Sequence, residues 1–182
     1  QGLFAASPYG APVLIPSRRA ALSWLATISV EVREWVVRDF PEVLFFEGDP
    51  QAWDGLSADK AFDNFVAGSS LGLQANWFKS ASELMRVGRS LSAGKVAAAL
   101  ADLSSPPQVR RLCFHIARHA KLADCASSAF DVYKSTTAQE WERRYALEVL
   151  EAVATPAHRS AVLVDLQTSA LASNELIARA LP

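Results

Sequence analysis

The residues best suited to chemistry lie close together in this chain: Cys113, His115, His119 and Cys125, interleaved with the cations Arg110, Arg111, Arg118 and Lys121. Thiol and imidazole groups are zinc's preferred ligands, and two histidines four apart point the same way from one helix. The angles oppose a shared ion. Cys113 falls within an apolar stripe while His115 lies nearly opposite, so one tetrahedral ion would reach both only by breaking the helix. The four residues therefore read as two reduced, buried thiols, a solvated His115, and a His119 near a helix C-terminus, where positive charge is favourable. No metal and no cofactor is expected.

The cations point to binding. No acidic residue occurs between Asp102 and Asp124. On a helix, Arg111, His115 and Arg118 share a face that suits phosphates, with Phe114 at its edge as a stacking group. Arg110, Arg111, Phe114, His115, Arg118 and Lys121 together form the candidate interaction ridge. Nucleic acid is one partner such a ridge fits, and a protein or peptide lying along the surface is the other. Ridges of this kind also solvate, or pair with the next element of the same molecule.

Catalysis finds no complete constellation. Ser90, Ser104, Ser105, Ser127 and Ser128 occupy caps or ordinary helical positions, and none sits in a strand-turn-helix elbow. The acid pairs Asp59 with Asp63 and Glu148 with Glu151 fall on solvated helix faces. Gly88-Arg89-Ser90 and Gly94-Lys95-Val96 lack the preceding strand and the glycine-rich loop that cradle phosphates. No catalytic residue is expected and the chain does not read as an enzyme.

What must position these residues is a helical framework. Val109-Arg110-Arg111-Leu112 returns 33 positions later as Glu142-Arg143-Arg144-Tyr145, and the same offset carries Ile116 onto Val149 and Phe130 onto Leu163. Apolar residues thus stay in register across two helical hairpins, as stacked repeats require. The expected fold is all-α, a HEAT-like helical-hairpin solenoid of right-handed sense with an irregular N-terminal helical cluster. Residues 1–16, with Pro8, Gly10, Pro12 and Pro16, read as an extended lead-in. Residues 17–73 form the cluster, and residues 74–182 hold about three hairpins and a terminal helix from Asn174 to Leu181.

Within this plan Ser17 caps a first helix with Ala21, Leu22, Trp24, Leu25 and Ile28 facing inward, and Ser29 caps a second that Pro41 ends. Trp53 to Ser57 reads as a loop, Ser57 starts a helix closed by Gly68 and Gly72, and Gly88 stops the next, which carries Trp77, Phe78, Ala81, Leu84 and Met85 inward. Pro106 takes the first position of the helix bearing the ridge, behind Ser105 as cap. Thr137 to Glu140 has capping-box spacing before the following helix, and Arg144 there meets Glu140 and Glu148 in surface pairs. All five tryptophans read as core, Trp53 from within a loop.

Composition agrees. A 51% hydrophobic content over 182 residues gives enough apolar side chain for a sizeable core, and a net charge of -1 opposes an overall electrostatic grip on nucleic acid or anionic lipid. No apolar run approaches the roughly 20 residues that cross a bilayer, so a cytoplasmic protein without membrane contact is expected. The sequence starts at Gln1 and its single methionine is Met85, which reads as a piece of a longer protein.

Two parts carry a resemblance. The run Arg18 to Ala26, then Glu31-Val32, Phe40-Pro41-Glu42-Val43-Leu44 and Gly48-Asp49-Pro50, resembles the helical region that follows the nucleotide-binding module in bacterial NACHT-type STAND NTPases. Val109-Arg110-Arg111 and Glu142-Arg143-Arg144-Tyr145-Ala146-Leu147 are similar to the HEAT-like hairpins of the same proteins. The resemblance spans most of residues 17–168. It implies a scaffold, within a larger bacterial signalling NTPase, that couples nucleotide state to ligand recognition, with other domains of the parent protein as partners. No Gly-x-x-x-x-Gly-Lys-[Ser/Thr] loop occurs, so no catalytic residue carries over.

Overall fold

The computed structural model describes residues 4–6, 12–69 and 80–168, and the chain divides into two compact units, Gln1–Lys79 and Ser80–Pro182. Among the described residues the fold is all-α apart from one short ribbon. Within the lead-in, β1 (Phe4–Ala6) pairs antiparallel with β2 (Pro12–Leu14), Phe4 opposite Leu14, so the chain folds back on itself instead of running out as a single arm.

The first unit's helices are set by prolines and short polar caps. A 3-10 turn at Pro16–Arg18 leads into α1 (Arg19–Ile28), so Ser17 lies inside the turn and makes no cap. Ser29 does cap α2 (Val30–Asp39), accepting the Val32 N–H at 3.3 Å, and Pro41 closes α2 by opening α3 (Pro41–Glu47). Arg33 of α2 donates to the carbonyls of Ala26 and Thr27, satisfying the open end of α1. Asp54, not Ser57, starts α4 (Gly55–Ser69): its carboxylate accepts the Ser57 N–H at 2.8 Å and the Ser57 hydroxyl at 2.7 Å. Gly68 lies within that helix, and Gly72 falls outside the described residues, as do Trp77 and Phe78.

The core of this unit gathers Leu22, Val36, Val43, Leu44, Phe62 and Phe65. Phe45 meets Phe62 and Phe65 edge to face, with centroids 6.2 and 5.5 Å apart. Of two tryptophans expected in the core, one lies there and one does not. Trp53 is buried beneath the Arg33 guanidinium, whereas Trp24 is 63% exposed and Ile28 beside it is 64% exposed. The cause is geometric: among the described residues α2 and α3 pack on the side of α1 that buries Leu22, Ser23 and Ala26, and its apolar face is wider than that cover.

The second unit contains α5 (Ala81–Ser90), α6 (Ala93–Ala101), α7 (Pro107–Ala120), α8 (Cys125–Lys134), α9 (Glu140–Val153) and α10 (Pro156–Thr168). Helices α5, α7 and α9 pack successively side by side, α6, α8 and α10 form a second row, and α6 on α7 and α8 on α9 join the rows. Ser80 caps α5, whose Ala81 faces solvent. The helix stops at Ser90, near Gly88 as expected, but Gly88 itself lies inside it. It is buried where α5 crosses α7, and a Cβ there would overlap that of Ala120 and lie 3.0 Å from Ile116, so glycine permits the close approach.

The 33-residue period governs this unit. Helix α9 begins and ends 33 positions after α7. Buried positions recur three times at the same interval: Leu84, Ala117 and Leu150; Val96, Ala129 and Val162; Leu100, Tyr133 and Leu166. The segment expected as a terminal helix, Asn174 to Leu181, lies outside the described residues.

Candidate functional site

Helix α7 carries the ridge except for Lys121, the residue just past its end, and both ends are set locally. Before it, Asp102 accepts the Ser104 N–H and the hydroxyls of Ser104 and Ser105 at 2.9, 2.6 and 2.8 Å, which holds its carboxyl below the usual range. Ser105 is thereby engaged, Pro106 becomes the cap residue, and Pro107 the first helical residue, one later than the sequence suggests. At the other end Lys121 adopts φ 53°, and the Leu122 N–H reaches the Ala117 carbonyl at 3.0 Å. This is a Schellman-type stop with lysine in the place glycine usually takes.

Between these ends the ridge divides. Arg110 is 2% exposed and ion-paired with Glu142 of α9, while its Nη2 donates to the Leu100 carbonyl at 3.4 Å. Phe114 is 1% exposed and stacks on Tyr145, with centroids 6.0 Å apart and planes inclined by 22°. Neither residue is presented to a partner, so the six-residue ridge is corrected at both. Its remaining members differ in use. Arg118 binds Glu148 at 2.7 Å, His115 is half-buried against Tyr145 and His119, Lys121 is exposed at the helix end, and Arg111 is exposed. His115 is therefore not the solvated residue expected. Burial first, and then His119, depress its imidazole below the ordinary value of 6.5.

Arg111, His115 and Arg118 all turn toward α9, whose contribution the sequence reading missed. Glu142 and Glu148 are buried acids there, and Glu148, expected on a solvated face, lies 3.7 Å from Arg144 as well as meeting Arg118. A signal existed. At the 33-residue offset Glu142 occupies the register of the fully buried Val109, and a charge at a buried register requires a partner across the seam.

The capping box of α9 lies at Gln139 and Glu142, not at Thr137 and Glu140. Glu142 accepts the Gln139 N–H at 2.7 Å, and the Gln139 side chain also accepts from the Trp141 indole at 2.7 Å, fixing that ring. Arg111 lies over the Trp141 and Tyr145 rings at 5.2 and 6.0 Å. Arg111, Gln139, Glu140, Trp141, Arg144 and Tyr145 line a groove of about 540 Å³.

The chain matches no protein-family model, no curated protein and no solved structure. Its chemistry is read from its own residues. Cys113 and Cys125 are free, buried thiols; burial pushes both up, Cys125 to about 12, so neither supplies thiolate near neutral pH. Among the described residues no group of three His, Cys, Asp or Glu is placed to hold a metal ion, and no helix is long and apolar enough to cross a membrane. What the arrangement offers is a guanidinium laid on aromatic rings beside an open groove.

Proposed function

We propose that this chain is a non-catalytic helical scaffold, a HEAT-like hairpin solenoid that presents a protein-interaction surface. The observation that carries this reading is the recurrence of buried positions at 33-residue intervals through two rows of helices, the arrangement by which repeat proteins extend a core and expose one continuous face. The period is shorter than the roughly 40 to 47 residues of typical HEAT units, so the likeness lies in the paired helices and not in their length.

The wider reading, that the scaffold belongs to a bacterial signalling NTPase and couples a nucleotide-binding module to ligand recognition, rests on the segments from Arg18 to Pro50 and on the paired arginines of α7 and α9. It is tested by reading the parent gene upstream for a phosphate-binding loop. The nucleic-acid reading loses support because Arg110 and Phe114 are buried and Arg118 is paired with Glu148.

The test of the scaffold is direct. The protein is immobilised, partners are captured from cell extract, and each is purified and titrated against the free protein by calorimetry. A specific partner with saturable one-site binding is expected. If no purified candidate binds, or if an oligonucleotide binds better than any protein, the scaffold reading fails.

A further inference from the structure

The groove beside α9 has a chemistry that selects its occupant. Arg111 is exposed, its guanidinium rests on the Trp141 and Tyr145 rings, and among the described residues no carboxylate stands within ion-pair distance of it. Both rings are held: Trp141 by its hydrogen bond to Gln139, Tyr145 by its stack on Phe114 and its T-shaped contact with His115. A guanidinium stacked this way keeps its N–H edge free and pre-aligned for a planar carboxylate. Arg144 lines the same groove and is 66% exposed; its Nε meets one Glu148 oxygen at 3.7 Å, while Arg118 holds the other at 2.7 Å.

We propose that this groove binds an acidic side chain of a protein partner, its carboxylate forked by Arg111 with Arg144 nearby, and the partner's adjoining apolar residue resting on Trp141 and Tyr145. The proposal rests on the scaffold reading and names the partner chemistry for it. Charge complementarity decides between occupants. Two arginines against Glu140 leave the groove cationic by one charge, enough for a carboxylate. A nucleic-acid strand needs cations along its length, and here the neighbours that would continue the row are buried or paired: Arg110 with Glu142, Arg118 with Glu148.

The experiment selects a display library of random short peptides against the whole protein, then titrates the enriched peptides by fluorescence polarisation. Poly-dT serves as the nucleic-acid arm. Enriched peptides are expected to place Asp or Glu next to an aromatic or aliphatic residue. Replacing that acid with its amide, or Arg111→Gln in the protein, should each weaken binding about tenfold or more. Arg111→Lys should fail to restore it, because lysine cannot fork a carboxylate. In NMR spectra the Trp141 indole N–H, identified by its loss in Trp141→Phe, should shift on binding. Enrichment without acidic residues, affinity unchanged in Arg111→Gln, or Arg111-dependent binding of poly-dT alone would overturn the proposal. A purified partner that binds the wild-type protein and Arg111→Gln equally would overturn it too, yet leave the scaffold standing; absence of any partner would remove both.

Discussion

Glu142 is the residue whose removal reveals most about the seam between α7 and α9. Both it and Arg110 are almost wholly buried, and the cost of taking two charges out of water offsets most of their attraction, so the pair adds little net stability while it is intact. Breaking one side leaves a charge without compensation. Glu142→Gln or Arg110→Met alone is expected to lower stability by about 3 to 5 kcal/mol, whereas Arg110→Met combined with Glu142→Leu should recover most of that loss. Urea unfolding of the four proteins checks it, and equal losses in the single and double variants would contradict the account. His115 supplies a second test at this scale. Its imidazole is depressed below 6.5, with burial the main cause and His119, Arg118 and Arg111 opposing charge, against Glu148, which favours it. Because the folded state binds its proton less readily than the unfolded one, the contribution is complete above about pH 6.5 and declines as pH falls below that value. His115→Gln should flatten the acid limb of the stability curve below about pH 6.5; an unchanged slope would assign that limb elsewhere.

At the scale of elements, the crossing of α5 and α7 depends on Gly88. An alanine there gains about 1 kcal/mol of helix propensity, but its Cβ would overlap Ala120, whose own Cβ has no rotamer to move into. Gly88→Ala is expected to destabilise by about 1 to 2 kcal/mol net, measurable as a lowered urea midpoint with unchanged slope; a rise in stability would mean that the helices separate at no penalty. This residue also shows why some of the fold was legible and some was not. Glycine in a helical pattern signals either an end or a close approach, and only the helix packed against it decides which. The prolines, Ser29 and the 33-residue register act within one segment or along one period, and could be read. Asp54 as the start of α4, the outward turn of Trp24 and the burial of Phe114 depend on which sides neighbouring helices cover, and could not. The ridge failed for the same reason: the acids that engage Arg110 and Arg118 stand 32 and 30 residues downstream, on a helix whose apolar stripe alone had seemed to face inward.

At the scale of the whole molecule, each of the two units gathers its own buried side chains: Leu22, Val36, Val43 and Leu44 in one, Val109, Ile116, Val149 and Leu166 in the other. A unit with its own core can fold alone. Ser80–Pro182 expressed by itself is expected to show helical circular dichroism and a cooperative thermal transition, whereas a non-cooperative melt would show that it relies on the preceding residues. Its inner seams also have a mechanical consequence. One oxygen of Glu142 holds the Gln139 N–H at the start of α9 while the other meets Arg110 on α7, so a tension that draws α7 from α9 loosens the anchor of α9's first turn in the same act. Pulled apart, α7 and α9 would part with the cross-helix pair and the helix-start bond lost in one step.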